Sequence, residues 1–498
     1  MLQLLDNVDT VRKAVRLNID LGRKSELGQF MTSSTVARFM ASLFSPSTLL
    51  QTSHLLDAGA GIGSLFCAFL DRVTSGSLPF KNVQVSAYEI DMNLRKHLSQ
   101  NLTNYQGVLA LDVSVSPNDF IEEAVKLIQK KEVRFTHAIL NPPYKKISSV
   151  SQHRALLRQV GIETVNLYSA FVALSIELMA TGGEIVAIIP RSFCNGPYYR
   201  PFRDLIFSKT AIKRIHLFES RNRAFKDDDV LQENIIIVLE RGAKQGEVMV
   251  STSTDESCRD METYLYPFDR IVLSDDPELF IHVPTTPDHN QIEFSPFVRT
   301  TLSDLALTVS TGPVVDFRLK EHLRPMPDIG TVPLLYPCHF AGQSVLWPKL
   351  DSKKPNAIAL NDETRKWLYP NGCYVVVRRF SSKEEKRRIV ASVVYSQDFD
   401  TPLLGFENHL NVFHCGKKGL HENLARGLSV FLNSTAVDDQ FRRFSGHTQV
   451  NATDLRILKY PTRDALILLA LWAKNQTTLT QEKIDQQIES IVWNKSTT

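Results

Sequence analysis

An α/β fold built on a mostly parallel sheet, followed by a second domain of mixed α+β character, is what the sequence predicts. Three observations carry that prediction. From His54 onward short apolar runs alternate with helix-length segments; a glycine-rich turn, Gly59-Ala60-Gly61-Ile62-Gly63, follows the first of these runs; and the rhythm changes after Arg241-Gly-Ala-Lys-Gln-Gly. Strands that alternate with helices pair in parallel, because each crossover helix returns the chain to the same end of the sheet.

The elements follow in order. Residues 2 to 22 carry apolar side chains at helical spacing, and Ser33-Ser34-Thr35 caps a second helix from Val36 to Phe44. Strands are expected at His54–Ala58, Val83–Ile90, Val108–Val113, Thr136–Leu140, Glu184–Ile189, Ile212–Phe218 and Asn234–Leu239. The run Ile235-Ile-Ile-Val-Leu has no polar face, the mark of a strand buried on both sides. Between about 250 and 350 prolines are frequent and helical periodicity is scarce, so the domain boundary is placed at residues 245/246. Strands are then expected at Cys373–Phe380 and Ile389–Tyr395, a helix at Glu422–Leu432, and one or two amphipathic helices from Arg463 to Val492.

Composition narrows the function classes. The 498 residues include 57 Lys plus Arg against 54 Asp plus Glu, an ordinary globular balance that leaves any nucleic-acid footprint to local clusters. Six scattered cysteines form no C-x-x-C pair and no zinc spacing, so a reduced compartment and no metal are expected. The amino-terminal stretch lacks a basic segment and a long apolar core, and no run of about 18 apolar residues occurs. A cytoplasmic protein with no membrane partner is therefore expected.

Two motifs carry chemistry. In Leu55-Leu56-Asp57-Ala58-Gly59-Ala60-Gly61-Ile62-Gly63 a strand turns into a helix whose amino terminus a ligand can approach closely. The spacing is G-x-G-x-G with Ser64 where a dinucleotide fingerprint needs its third glycine, so the dehydrogenase reading loses ground. Glu89, in Tyr88-Glu89-Ile90-Asp91, stands at the end of the next strand, where an acid accepts from both hydroxyls of a ribose. The second motif, Asn141-Pro142-Pro143-Tyr144, ends an apolar strand with a stiff loop, since two prolines cannot continue a sheet. It offers the Asn141 amide oxygen, the Pro142 carbonyl and the Tyr144 ring, and no titratable nucleophile. Such a site works by hydrogen bonding and stacking on a weak nucleophile such as an aromatic amine, whose developing positive charge two acceptors disperse.

With these motifs in this order the sequence resembles the gamma-class N6-adenine DNA methyltransferases of type II restriction-modification systems. Gly28-Gln29-Phe30-Met31-Thr32 is similar to the family's first motif, Asp57–Gly63 to the second and Asn141–Tyr144 to the catalytic tetrapeptide. The resemblance implies a class I, Rossmann-like, S-adenosylmethionine-dependent catalytic domain over residues 1–245 and a DNA target recognition domain over 246–498. It implies catalytic roles for Asn141, Pro142 and Tyr144, and cofactor contacts from Thr32, Asp57, Gly59, Gly61, Glu89, Asp119 and Phe120, with Asp112 a rival for the acid. Phe225 is expected to stack with Tyr144 on a base flipped out of double-stranded DNA, because N6 is out of reach inside a duplex. The family's Thr-Pro is here Thr32-Ser33, and Thr74–Phe80 lengthens the gap before Glu89. Asn in first place of the tetrapeptide favours adenine over the N4 of cytosine. A bacterial host and a cognate restriction endonuclease acting on the same site are implied as well.

DNA contacts are expected from two basic segments. Val377–Arg388 holds six basic residues, Arg378 and Arg379 among them, against Glu384 and Glu385; Phe441–Asn451 holds Arg442, Arg443, His447, Gln449 and Asn451. A solvated hairpin tip is the competing account of the first. Thr311-Gly312-Pro313 is similar to a stretch at the start of the family's recognition domain. RNA adenine and protein glutamine methyltransferases share the tetrapeptide; the long basic, proline-punctuated half favours DNA. Glu384-Glu385-Lys386 as a nuclease motif lacks a partner acid.

Overall fold

All seven apolar runs between residues 54 and 239 overlap strands of one sheet. The computed structural model describes residues 3–18, 31–46, 50–132, 134–218, 233–284, 295–342, 344–382, 384–445 and 448–492. It divides into two units, 1–285 and 286–498.

In the first unit the strands are β1 (Thr52–Ala58), β2 (Asn82–Tyr88), β3 (Ala110–Ser116), β4 (Phe135–Leu140), β5 (Met179–Pro190), β6 (Thr210–Phe218), β7 (Asn234–Arg241), β8 (Val248–Ser253) and β9 (Glu262–Tyr266), in the order β3-β2-β1-β4-β5-β7-β6-β8-β9. Strands β1 to β5 run parallel, and β7 is antiparallel to both β5 and β6. The helices are α1 (Gln3–Asn18), α2 (Ser34–Ser42), α3 (Ser64–Thr74), α4 (Met92–Gln106), α5 (Phe120–Gln129), α6 (Gln152–Gln159), α7 (Leu167–Leu178) and α8 (Arg200–Lys209).

Alternation along the strands divides the core in two. Leu56, Leu140, Ile185, Ile235 and Ile237 face one apolar cluster, whereas Leu55, Ile139, Val186, Ile236 and Val238 face another. Side chains on successive residues point to opposite faces of a strand, so a run without polar residues is what covering both faces requires. Burying each aliphatic side chain contributes roughly 1.5–3 kcal/mol. Strand order reverses between β1, which leads outward to β2 and β3, and β4, which leads to β5. The carboxyl ends of β1 and β4 therefore diverge into loops on opposite sides, leaving a crevice at that edge.

The first unit runs past the boundary expected at residue 245. Strand β8 pairs in parallel with β6, and β9 closes the edge antiparallel to β8. Strand β9 escaped the sequence reading because it is a half-exposed edge, with Glu262, Thr263 and Leu265 facing water, and β8 because three of its five buried residues are Ser or Thr.

The second unit is mixed α+β. Thr308–Thr311, Leu410–His414, Tyr374–Arg378 and Ala391–Val394 form one antiparallel sheet, and a separate sheet is built from short strands. The expected helix Glu422–Leu432 is present, and the carboxyl-terminal stretch forms two helices, Arg463–Lys474 and Gln481–Val492. Gly427 lets the helix Glu422–Leu432 lie directly on the backbone of Arg463–Lys474, since a Cβ there would stand 1.8 Å from the Leu466 carbonyl oxygen. No described helix is long and apolar enough to cross a membrane.

Candidate active site

The turn after β1 is tied to the end of β2. Gly59 and Ala60 donate their backbone N–H groups to the Tyr88 carbonyl, each at 2.9 Å. Gly63 then caps α3 at φ +90°, and a Cβ on it would collide with the Phe66 ring at 2.1 Å, so only glycine fits. Glu89 locks the arrangement from the other side: its carboxylate accepts from Gly61 N at 2.8 Å and from Asp91 N at 2.7 Å. Burial raises the Glu89 pKa, and these two amides pull it back. Asp57 lies beneath the turn, fully buried, with the Phe66 backbone N–H facing its carboxyl. Burial pushes its pKa up to about 8, so it is held protonated at neutral pH.

Beyond β4 the chain turns at Asn141. Its Nδ2 donates to Thr32 Oγ1 at 2.9 Å, while the Tyr144 hydroxyl donates to its Oδ1 at 3.1 Å and lies 3.2 Å from the Ile188 carbonyl. The amide is thus held at both ends. Tyr144 packs edge-on against Tyr168, which in turn stacks on Tyr199.

Asp119 caps α5, its Oδ1 accepting from Ile121 N at 2.8 Å and Glu122 N at 3.3 Å. Its Oδ2 meets His153 Nε2 at 3.2 Å. Burial opposes the charge on Asp119, yet the His153 contact and the capping amides hold its carboxyl below the usual range, and Asp119 raises His153 in return. One cavity of about 240 Å³ brings Thr32, Gly59, Gly61, Glu89, Asp119, Phe120 and Asn141 together. Asp57, Asp112, Pro142 and Tyr144 are not among the residues that line it. Asp57, expected as a cofactor contact, stands under the turn whose backbone lines the cavity.

Residues 41–225 match the family model of the Eco57I restriction-modification methylases. The type II methyltransferase M.BsuBI of Bacillus subtilis is 54% identical over 502 aligned residues, which cover 99% of each chain. The chain belongs to the type II methyltransferases of restriction-modification systems. A second member, M.PstI of Providencia stuartii, is 45% identical over 92% of each chain. Among solved structures, the cryoEM structure of a DrdV–DNA complex shares the fold, with a TM-score of 0.50 and 12% identity over 91% of this chain. The methyltransferase spans 57% of that longer chain.

In the second unit of this methyltransferase the two basic segments meet. Phe380 bridges to Gln449, Ser381 N donates to Thr448 O at 3.1 Å, and Val450 N donates to Arg379 O at 2.7 Å. The first segment is the tip of the hairpin Tyr374–Arg378/Ala391–Val394, and much of its charge is used internally. Arg378 pairs with Glu385, Arg442 with Asp438 at 2.7 Å, and buried Arg388 donates to Ser445 Oγ at 3.2 Å while lying over the Phe441 ring. Asn451 caps the helix Ala452–Ile457, its backbone N–H bonded to Asp454 at 2.8 Å. Arg378, Arg442 and Asn451, expected as DNA contacts, thus each make a bond within the second unit. Lys386 is exposed, and Arg379, Arg443 and Gln449 are half-buried. Gly28, Gln29, Phe30, Phe225 and His447 lie outside the described residues.

Among the cavity residues that the sequence did not single out are two polar ones, Lys145 and His153. Lys145 directly follows the tetrapeptide, which was a usable signal. His153 is a single histidine in the first turn of a polar helix, and nothing local distinguishes it.

Proposed function

We propose that this methyltransferase moves the methyl group of S-adenosylmethionine to the exocyclic N6 of an adenine turned out of duplex DNA, by the gamma-class arrangement of motifs. The observation that carries the reading is that the Asn141 amide and the glycine turn open into one cavity.

The residues present suit the cofactor. The Glu89 carboxylate, held by Gly61 N and Asp91 N, stands at the end of β2 on the cavity wall, where an acid accepts from neighbouring ribose hydroxyls. Asp119 offers Oδ2 to an amino donor, beside the apolar side chains of Ile90 and Phe120. Thr32, Gly59 and Gly61 line the same cavity and are assigned to the amino-acid end, with Asp57 supporting the turn from below. The cofactor supplies an electrophilic methyl carbon on a sulfonium.

Asn141 Oδ1 and the Pro142 carbonyl accept the two amino hydrogens of the target. That favours a tetrahedral nitrogen and disperses the positive charge arising as the N–C bond forms. Tyr144 supplies a stacking face, with Phe225 assigned opposite. The surplus proton leaves to water after transfer, so no side chain must act as base beforehand. Residues 286–498 carry target recognition, with Lys386, Arg379, Arg443 and Gln449 as candidate contacts to phosphates or base edges.

The test offers methyl-labelled S-adenosylmethionine with duplex DNA, with RNA and with a mixed protein extract. Label is expected in duplex DNA alone; incorporation into RNA or a polypeptide in its place overturns the substrate assignment.

A further inference from the structure

The turn between β8 and β9 reaches back to the segment that holds the Asn141 amide. Ser33 Oγ donates to Glu256 Oε2 at 2.6 Å, across 223 residues of sequence. The same Ser33 hydroxyl accepts from Val36 N at 3.3 Å as the cap of α2. Its chain neighbour Thr32 is the residue that accepts from Asn141 Nδ2. Position 32 is thus pinned on one side by the helix cap and Glu256, and on the other it orients the amide.

The turn that bears Glu256 is itself well held. Ser257 N and Oγ donate to Asp255 Oδ1 at 2.9 and 2.6 Å, Ser253 Oγ donates to Asp255 O at 2.9 Å, and Thr254 N donates to Asp260 at 3.2 Å. Beneath it the buried His216 ring of β6 bonds Ser251 Oγ at 2.9 Å and Ser253 Oγ at 3.2 Å. The same ring meets Phe39 of α2 edge-on at 4.6 Å. Strand β8 and its turn therefore form a rigid abutment against the amino end of α2. A half-buried carboxylate at that point, bonded to a hydroxyl next to Thr32, has a geometric task rather than a solvating one.

We propose that Glu256 is a positioning residue for methyl transfer: by holding Ser33 it fixes Thr32, and Thr32 fixes the Asn141 amide with its oxygen presented to the substrate amine. The inference rests on the role given to Asn141 above. It also assigns a purpose to the sheet extension beyond β7. Glu256 does not line the cavity, so its loss acts through Thr32, mainly on the rate of the chemical step and by no more than a few-fold on cofactor affinity. Misplacing a reacting group by a fraction of an ångström slows such a step by about ten- to a hundredfold.

Three variants of the full chain separate reach from charge: E256A removes the acceptor, E256D keeps the charge but falls short by one methylene, and E256Q keeps an acceptor at full reach without the charge. Single-turnover methyl transfer, titration with S-adenosylhomocysteine and the thermal midpoint are measured on each, with N141A alongside. The expected result is a rate about ten- to a hundredfold lower in E256A and E256D, recovery of most of it in E256Q, an S-adenosylhomocysteine affinity within about threefold of wild type, and an unchanged midpoint throughout. A wild-type rate in E256A overturns the proposal, as does a rate in E256Q as low as in E256A, or a loss that follows the thermal midpoint. An inactive N141A beside a fully active E256A removes only the role of Glu256; a fully active N141A removes the role of Asn141 and the inference with it.

Discussion

Asn141 is held by Thr32 at its nitrogen and by Tyr144 at its oxygen, and this double tether is what orients an acceptor toward the cavity. Removing it with Asn141→Ala is expected to lower single-turnover transfer by on the order of 10²–10³-fold, while S-adenosylhomocysteine and duplex binding stay within a few-fold of wild type, as quench-flow and titration will show. Asp57 invites a different experiment. Its folded pKa of about 8 lies above that of an unfolded aspartate, so the unfolded chain ionises first as pH rises. The stabilisation is complete below about pH 4 and is lost as pH rises toward about 8. Asp57→Asn does not titrate, so its thermal midpoint should gain on wild type between pH 5 and pH 8. An unchanged difference across that range contradicts a buried protonated acid. At this scale the sequence was legible where residues sit in a motif, as Thr32, Glu89 and Asn141 do. It was silent on Glu256 and His153, whose partners are distant in the chain.

Element by element, legibility followed burial. Strands covered on both faces, such as Asn234–Arg241, appear as unbroken apolar runs, and Ser33 announces a helix as its cap. The edge strand β9 and the short strands of the second unit carry mixed polarity, and there tertiary pairing overrides local pattern. The glycine turn gives a test at this scale. Gly63→Ala must relieve both a left-handed φ and a clash with Phe66, so it should cost roughly 1–3 kcal/mol in urea unfolding and weaken S-adenosylhomocysteine binding. The hairpin tip gives another, because the basic segments dock on each other. Arg388→Ala should destabilise the protein by roughly 2–3 kcal/mol through its lost Ser445 and Phe441 contacts. The change in salt dependence of duplex binding should be small. A stable variant with a reduced salt slope would return Arg388 to the phosphate contacts.

For the whole molecule, the order of motifs along the chain foretold the catalytic half, because a parallel sheet brings the carboxyl ends of β1, β2 and β4 to one edge whatever lies between them. The boundary was the part not legible: β8 and β9 follow a glycine-punctuated break yet pair with β6. A fragment ending at residue 285 should therefore bind S-adenosylhomocysteine, whereas one ending at 245 exposes the β6 edge and should aggregate, as light scattering will report. In the proposed reaction the stiff Asn-Pro-Pro-Tyr loop holds the amino nitrogen of adenine to receive the methyl group of S-adenosylmethionine. Hydrolysing the methylated duplex to nucleosides and identifying the product by mass spectrometry tests it most directly. N6-methyldeoxyadenosine made by wild type and absent with Asn141→Ala is the predicted result, and N4-methyldeoxycytidine or 5-methyldeoxycytidine in its place would contradict it.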